Sequence, residues 1–347
     1  MTSFTQLFNT HLPIIQAPMA GVQDHRLAVA VCNAGGLGSL PAAMLSLETL
    51  KSELTHIRAQ TDKPYNVNFF CHTPPEPNAT REAVWQAALA PYYKEHSIDA
   101  SQINAGAGRS PFTAEAANVL EAFKPAVVSF HFGLPSHELL SRVRSWGSKI
   151  IASATTVQEA LWLEARGVDA VIAQGLEAGG HRGHFLSDDL TQQLGTFALL
   201  PQIVQAVKVH VIAAGGIADA SGVAAAFEQG AAAVQAGTAY MLCLEATTSA
   251  IHRAALKSET ARHTALTNIF TGRPARGIVN RVMRELGSIC SSAPEFPLAT
   301  AAIAPLRANA ESLGSGDFSP LWSGQNASGC REIGAAELTH SLMSKLH

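Results

Sequence analysis

Short apolar runs rich in β-branched residues recur along the whole chain and end in small residues. We predict a strand in each of eight such runs, at 13–20, 36–40, 64–70, 126–133, 149–156, 170–175, 209–216 and 232–238. Most of these runs are apolar at consecutive positions rather than at alternate ones, which is typical of strands that are covered on both faces of a parallel sheet.

The segments between the runs have the spacing of amphipathic helices. Val157, Ala160, Leu161 and Ala165 recur at helical intervals, and Gly167 provides a stop before the next strand. Eight strands that alternate with helices, at about 20–25 residues per unit, predict a closed (β/α)8 barrel. An open, doubly wound parallel sheet is the alternative.

Two regions depart from this repeat. The segment at about 73–122 is too long for one helical connection, and we interpret it as an insertion after the third strand. After the eighth strand, residues 246–285 have a mainly helical pattern. We therefore predict a barrel formed by 1–245 together with 305–347, and a smaller, mainly helical domain at 246–304 on the substrate side.

Composition narrows the class of protein. Of 347 residues, 47% are hydrophobic and 15% are charged, which excludes a disordered chain, and a net charge of −3 gives no reason to expect nucleic acid or an anionic membrane as a partner. The five cysteines are widely spaced without a Cys-x-x-Cys pair, so we expect neither disulfides nor zinc. No Lys or Arg precedes residue 24 and no apolar run is long enough to span a membrane, so we expect a cytoplasmic protein.

Candidate chemistry lies after the predicted strands, because ligands of such barrels bind at the carboxyl ends of the strands. The seventh strand is followed by Gly215 and Gly216, and the eighth by Gly237 and Thr238. Glycines let the backbone approach a ligand, and these two loops form the usual phosphate site of the fold. Since neither loop has a Lys or Arg, backbone amides and Thr238 would bind the phosphate of a resident cofactor. Alternatively, the glycines only form tight turns.

The sixth strand leads into the segment QGLEAGGHRGHF, in which His181 lies among Gly179, Gly180 and Gly183. We interpret these glycines as a flexible frame that places an imidazole at the mouth of the barrel. With an ordinary pKa of about 6.5, His181 can transfer a proton or bind an anion at neutral pH. His131, at the end of the fourth strand, is a second candidate. Alternatively, both histidines are structural.

Other positions at the strand ends exclude several chemistries. Asn68 and Gln174 end the third and sixth strands with neutral amides, which suit the edge of a heterocycle better than a metal. No Lys, Asp or Glu ends a predicted strand, which argues against Schiff-base and metal-dependent mechanisms. The segment AGAGRS (105–110) matches a dinucleotide loop only weakly, because no convincing strand precedes it. A phosphate site with neutral amides and a histidine is typical of a flavin mononucleotide (FMN) barrel.

With these motifs, the sequence resembles the nitronate monooxygenases, formerly called 2-nitropropane dioxygenases. The matching segments, in the order of the family, are IIQAPMAG (14–21), NAGGLGSL (33–40), NVNFF (66–70), SFHFGLP (129–135), AGGHRG, AAGGIAD, QAGTAYM, TGRPARGIVNR (271–281) and PLWSGQ (320–325). The resemblance implies an FMN-dependent barrel that oxidises alkyl nitronates with O2 to a carbonyl compound plus nitrite or nitrate. Family members of this type favour propionate 3-nitronate, a natural toxin, which implies a role in detoxification.

The resemblance also assigns roles to residues by position. His181 matches the active-site histidine of the family, and we expect His131 and His181 to contact the substrate. The residues expected to bind the cofactor are Ala17, Pro18, Met19, Asn68, Gln174, Gly179, Gly180, Gly215, Gly216, Gln235, Ala236, Gly237 and Thr238. The sequence departs from the family at two places. One is the segment GVQDHR (21–26), and the other is His184, where relatives usually have an apolar residue; both departures could reshape the mouth of the site. Arg276 and Trp322 are further candidates to reach the pocket.

Two other functions stay open at this point. The first is a related FMN barrel that reduces enoyl thioesters or quinones with NAD(P)H, because such enzymes share the glycine-rich loops. The second is a non-catalytic barrel that binds a phosphate-containing ligand. We expect a small nitronate and O2 as reactants, and a monomer or homodimer without nucleic-acid or membrane partners.

Overall fold

A computed structural model describes residues 2–103 and 109–346. Each of the eight predicted runs contains a strand. Together with three further strands, these are β1 (Ile14–Gln16), β2 (Gly38–Pro41), β3 (Tyr65–Phe70), β4 (Val127–His131), β5 (Lys149–Ala154), β6 (Ala170–Gln174), β7 (Gly180–His181), β8 (His210–Ala214), β9 (Ala233–Ala236), β10 (Thr264–Thr267) and β11 (Ala275–Ile278).

Eight parallel strands form one barrel in the order β1-β9-β8-β6-β5-β4-β3-β2. β1 pairs with β9 on one side, where Ile15 lies opposite Gln235. On the other side, Ile15 forms a parallel bridge with Leu37, next to β2. The ring is therefore closed, which confirms the predicted barrel and rejects the open sheet.

Between and beyond the strands, the described residues form helices. They are α1 (Phe4–Phe8), α2 (His25–Asn33), α3 (Leu47–Gln60), α4 (Ala79–Glu95), α5 (Ala114–Glu121), α6 (His137–Ser145), α7 (Val157–Glu164), α8 (Thr196–Ala206), α9 (Ala220–Glu228), α10 (Ala250–Lys257), α11 (Arg281–Leu286), α12 (Ala299–Ser312) and α13 (Ala335–Met343). Polar side chains begin several of them; Asp219, for example, accepts a hydrogen bond from the Gly222 N–H at 2.8 Å. α7 ends before Gly167, as the helical spacing predicts.

The strands bury both faces, which explains their continuous apolar runs. Ile151 and Ile172 point into the barrel, where Phe4 and Phe8 of α1 pack against the same cluster. The intervening Ile150 and Val171 point outward and pack under the surrounding helices. Consecutive apolar positions are therefore required, because one residue fills the barrel and the next anchors a helix.

A second hydrophobic cluster lies outside the barrel and joins α4 to α12 and neighbouring segments. Trp85 on α4 is 1% exposed, and its indole N–H donates to the Ala299 carbonyl at 3.1 Å. α5, although it falls within the predicted insertion, packs against α3 and α6 as ordinary barrel helices do. The predicted division into two domains stays a prediction.

The helical interpretation of residues 246–285 is wrong in its central part. β10 and β11 pair there as antiparallel strands, with Thr264 opposite Ile278, and β11 also pairs with β7. Thr264, Thr267 and Ile278 are β-branched, and a Gly-Arg-Pro turn between the strands interrupts any helix. Pairing with β7, which is distant in sequence, fixes the conformation.

Within the described ranges, no helix is both long enough and apolar enough to cross a membrane. None of the five cysteines forms a disulfide.

Candidate functional site

A cleft opens at the carboxyl ends of the barrel strands, with an empty volume of about 1400 Å3 that includes its opening to solvent. Every predicted site residue lines it except Ala236. Ala236 buries its methyl group in the core, and its carbonyl accepts a hydrogen bond from the Ala17 N–H at 2.8 Å. The structure therefore brings the predicted residues to one place.

The two predicted phosphate-binding loops lie close to neighbouring residues, and the backbone of the first loop favours glycine. Gly215 and Gly216 have φ angles of 126° and 71°, which other residues rarely adopt. A Cβ atom on Gly215 would lie 2.6 Å from the Thr196 hydroxyl, and one on Gly237 would lie 3.3 Å from the Ala17 methyl. These glycines leave bare backbone facing the cleft, as a bound phosphate requires.

The C-terminal segment Trp322–Asn326 completes this side of the cleft. The Gly324 N–H donates to the Thr238 hydroxyl at 2.9 Å, and the Asn326 side-chain amide donates to the Gly216 carbonyl at 3.2 Å. Sequence reasoning missed Gly324 and Asn326, although both lie in or next to the PLWSGQ motif. Their distance in sequence from the glycine loops hid the contact.

Two amide side chains in the cleft have oxygen atoms to offer a ligand. The Gln235 Oε1 atom is buried and has no hydrogen-bond partner within residues 2–103 and 109–346. The Asn68 amide nitrogen donates to the Ser129 hydroxyl at 2.9 Å, while its Oδ1 atom has no partner among the residues that the structure describes. Because an unpaired buried acceptor is costly, the Gln235 oxygen indicates a ligand with N–H or O–H donors. Asn68 lines the same cleft.

His181 is held by a strand rather than by a flexible frame, which corrects the sequence interpretation. It lies in β7 opposite Ala275 of β11, and its Nε2 atom is 2.9 Å from the Thr271 hydroxyl. Its ring centroid is 5.3 Å from that of Phe296 and 5.6 Å from that of Trp322. The remaining nitrogen, Nδ1, has no partner in the described part of the chain and is available to a ligand.

Burial, reinforced by the charge of Arg109, holds the pKa of His181 well below its usual value near 6.5. The imidazole is therefore neutral at pH 7, contrary to the protonated form that the sequence permits. A neutral ring can accept a proton or share a hydrogen bond, but it does not contribute a positive charge.

His131 has a different role from the one predicted, because both of its nitrogens are engaged inside the protein. Its Nε2 atom donates to the His181 carbonyl at 3.1 Å, and its Nδ1 atom accepts from the Ser153 hydroxyl at 3.0 Å. Burial lowers the pKa of His131 to about 3. Although His131 lines the cleft, this geometry positions His181 and leaves no ring nitrogen for a substrate.

Gln174 supports the same loop from the end of β6. Its amide nitrogen donates to the His181 carbonyl at 2.9 Å, and its amide oxygen accepts from the Gly183 N–H at 2.7 Å. The buried Arg182 adds two bonds, to the carbonyls of Gly175 and Gln174 at 2.6 and 2.8 Å. Together these contacts fix the backbone that carries His181.

Among the sequence candidates near the C-terminus, Trp322 lines the cleft and Arg276 does not. The Arg276 Nε atom donates to the Leu176 carbonyl at 2.9 Å, so this side chain is structural. Sequence reasoning missed Phe70 and Arg109 of the lining, and also Phe296, which packs against the His181 ring. Phe70 lies in the NVNFF segment and Arg109 in the AGAGRS segment, but neither motif indicated that these side chains reach the ligand. No local motif marks Phe296, which packs against Phe70 and Phe132 only in the folded protein.

The AGAGRS segment falls largely on residues 104–108, which lie outside the described residues; Arg109 and Ser110 follow them. No group of three His, Cys, Asp or Glu residues in the described chain could hold a metal ion.

Comparison with known proteins shows the family of this chain. The model of the nitronate monooxygenase family matches residues 1–345. Nitronate monooxygenases from Paraburkholderia phytofirmans and Pseudomonas aeruginosa are 44% and 40% identical, over 96% and 99% of this chain and 92% and 98% of their own lengths. A nitroalkane oxidase structure from Streptomyces ansochromogenes is 38% identical, with a TM-score of 0.90 over 99% of this chain and 98% of that one. The chain therefore belongs to the nitronate monooxygenase family.

Proposed function

We propose that the protein is an FMN-dependent enzyme that oxidises alkyl nitronates with O2 to a carbonyl compound plus nitrite or nitrate. One observation carries the proposal: the phosphate-binding loops and His181 line the same cleft at the carboxyl end of the barrel. Detoxification of propionate 3-nitronate is the role that we propose for it.

The residues present fit FMN. The glycine loops after β8 and β9, together with Thr238, would hold the phosphate, and Ala17–Met19 would lie against the ring system. The unpaired Gln235 oxygen suits a flavin N–H or ribityl hydroxyl. When bound, FMN supplies the electron acceptor for nitronate oxidation.

The protein's own residues then have defined tasks. Phe70, Phe296 and Trp322 keep water away from the His181 ring. When the neutral ring carries its proton on Nδ1, this N–H donates a hydrogen bond to a bound nitronate. In the other neutral tautomer, Nδ1 is unprotonated and takes the proton from a neutral nitroalkane. His131 and Gln174 keep this imidazole in place through its backbone carbonyl.

Purified protein tests both cofactor and activity. We expect visible flavin absorption, release of FMN on denaturation, and oxygen uptake with propionate 3-nitronate that yields nitrite or nitrate. Protein that takes up no FMN, or holoenzyme that oxidises no nitronate, contradicts the proposal. Rapid bleaching by NADH without oxygen would instead support the reductase.

The substitution His181→Asn tests the assigned residue. We expect FMN to stay bound and nitronate turnover to fall by at least about tenfold, because the shorter Asn side chain does not reproduce the hydrogen bond from the imidazole to the nitronate. His184→Asn is the matched control, since His184 is buried nearby but does not line the cleft. Equal turnover in the two variants would remove His181 from the mechanism.

A further inference from the structure

The cleft has an unusual balance of charge. Arg109 is the only Lys, Arg, Asp or Glu side chain among the described residues that line it. Both lining histidines are neutral at pH 7, because burial lowers their pKa values. The cleft therefore carries one positive charge without a compensating carboxylate.

Arg109 is held in place by uncharged groups. One of its terminal nitrogens donates to the Thr300 hydroxyl at 3.0 Å, and its guanidinium carbon is 5.8 Å from the Phe296 ring centroid. No carboxylate of the described residues lies within ion-pair distance of it. Burial, together with the positive charge of Arg307, lowers the pKa of Arg109. An unpaired cation in such surroundings is costly unless an anion joins it.

The position of Arg109 separates it from the cofactor side of the cleft. Arg109 and His181 both contact the Phe296 ring, at 5.8 and 5.3 Å from its centroid. The glycine loops that would hold the phosphate follow β8 and β9, whereas Arg109 lies two residues before Pro111, which bridges to Phe70 at the end of β3, and β3 is not a neighbour of β8 or β9. A small molecule beside His181 can therefore extend toward Arg109.

A neighbouring cation, Arg273, does not serve the cleft. It stacks on Phe132, with its guanidinium carbon 4.3 Å from the ring centroid, and donates to the His184 carbonyl. It does not line the cleft. Of the charged side chains that the structure describes, Arg109 alone lines the cleft and can meet an anionic group of a bound molecule.

We propose that Arg109 binds a carboxylate carried on a short chain from the reacting carbon, and so makes the enzyme selective for dianionic nitronates over nitronates with an uncharged tail. The inference rests on the proposed function. The guanidinium offers several N–H donors to a carboxylate, and charge-assisted bonds in a partly dry site are strong.

Kinetic selectivity gives the first test. We compare kcat/KM for propionate 3-nitronate with that for butyl-1-nitronate, a nitronate of similar length without the carboxylate. In Arg109→Met, the ratio should fall at least about tenfold, and Arg109→Lys should restore part of it. Arg262→Met is the control. The Arg262 side chain is exposed, so this substitution removes the same positive charge at a position away from the cleft. A ratio in Arg109→Met within about threefold of wild type overturns the proposal.

Binding of an inert analogue gives a test that does not depend on turnover. Succinate has two anionic ends at a similar separation, and butyrate lacks one of them. By calorimetry on the holoenzyme, succinate should bind more tightly than butyrate to the wild type, and Arg109→Met should lose this preference. Equal binding of the two acids by the wild type contradicts the inference. If succinate is preferred but no nitronate is oxidised, the assignment of Arg109 survives and the proposed function fails.

Discussion

The two histidines that line the cleft, His131 and His181, differ in role because their ring nitrogens have different hydrogen-bond partners. His131 uses one nitrogen to support the His181 backbone and the other to accept from Ser153. His181 has one nitrogen near Thr271 and the other without a partner in the described chain. The same residue type therefore serves as a support in one place and as the proposed reactive group in the other.

The side-chain amide of Gln174 makes two hydrogen bonds whose contribution to stability and activity can be tested by substitution. Glu in its place would still accept from the Gly183 N–H but would put an oxygen against the His181 carbonyl, where the amide N–H now donates. We expect Gln174→Glu to lose about 1–3 kcal/mol of unfolding free energy and to lower nitronate turnover more than tenfold.

The matched control for this substitution is Gln193→Glu. Gln193 accepts from the Arg182 Nε atom through its oxygen at 2.5 Å, and its amide nitrogen is buried without a partner among the residues described. Glu keeps the accepting oxygen and replaces a nitrogen that donates to nothing. Denaturant unfolding and oxygen uptake are measured for both variants. If Gln193→Glu loses as much unfolding free energy and turnover as Gln174→Glu, the contacts of Gln174 have no special role.

At the scale of elements, segments far apart in sequence build the site. β7 carries His181, β11 fixes β7, and the segment Trp322–Asn326 closes over the loop after β9. None of these pairings repeats the β/α unit. The ends of the barrel strands form the floor of the cleft. The additional strands and the C-terminal segment form its walls.

The contact between Gly324 and Thr238 tests this arrangement. Thr238→Val removes the oxygen that accepts the Gly324 N–H, whereas Thr238→Ser keeps it. We expect the dissociation constant of FMN to rise by about fivefold in the Val variant and by much less in the Ser variant, since one hydrogen bond contributes about 1 kcal/mol. Fluorescence titration of flavin-free protein measures both constants, and similar values for the two variants would contradict the role of this hydroxyl.

At the scale of the whole molecule, burial of neutral histidines links stability to pH. The pKa values of His72 and His252 are lowered to about 4, and those of His131 and His184 to about 3, in each case mainly by burial. In the unfolded chain each would have a pKa of about 6.5. Below that pH the unfolded state binds more protons than the folded state, so acid favours unfolding.

We therefore expect the free energy of unfolding to decline as the pH falls from about 6.5 to 5, a window above the titration of most carboxyl groups. Each such histidine contributes at most about 1.4 kcal/mol per pH unit. Denaturant midpoints across this range measure the decline, and His184→Asn should make it shallower by removing one titrating group. Stability that is constant from pH 6.5 to 5 would show that these histidines are protonated in the fold.

The sequence by itself determined the eight barrel strands and the glycine loops after β8 and β9. It also placed His181 at the carboxyl end of β6, because these features depend on local patterns of apolar residues, glycines and strand order. Only the tertiary structure decided the protonation of His181, the role of His131, the strands β10 and β11, and the presence of Arg109 and Phe296 at the cleft. Burial, charge and pairing between distant segments set these properties, and no short stretch of sequence contains them.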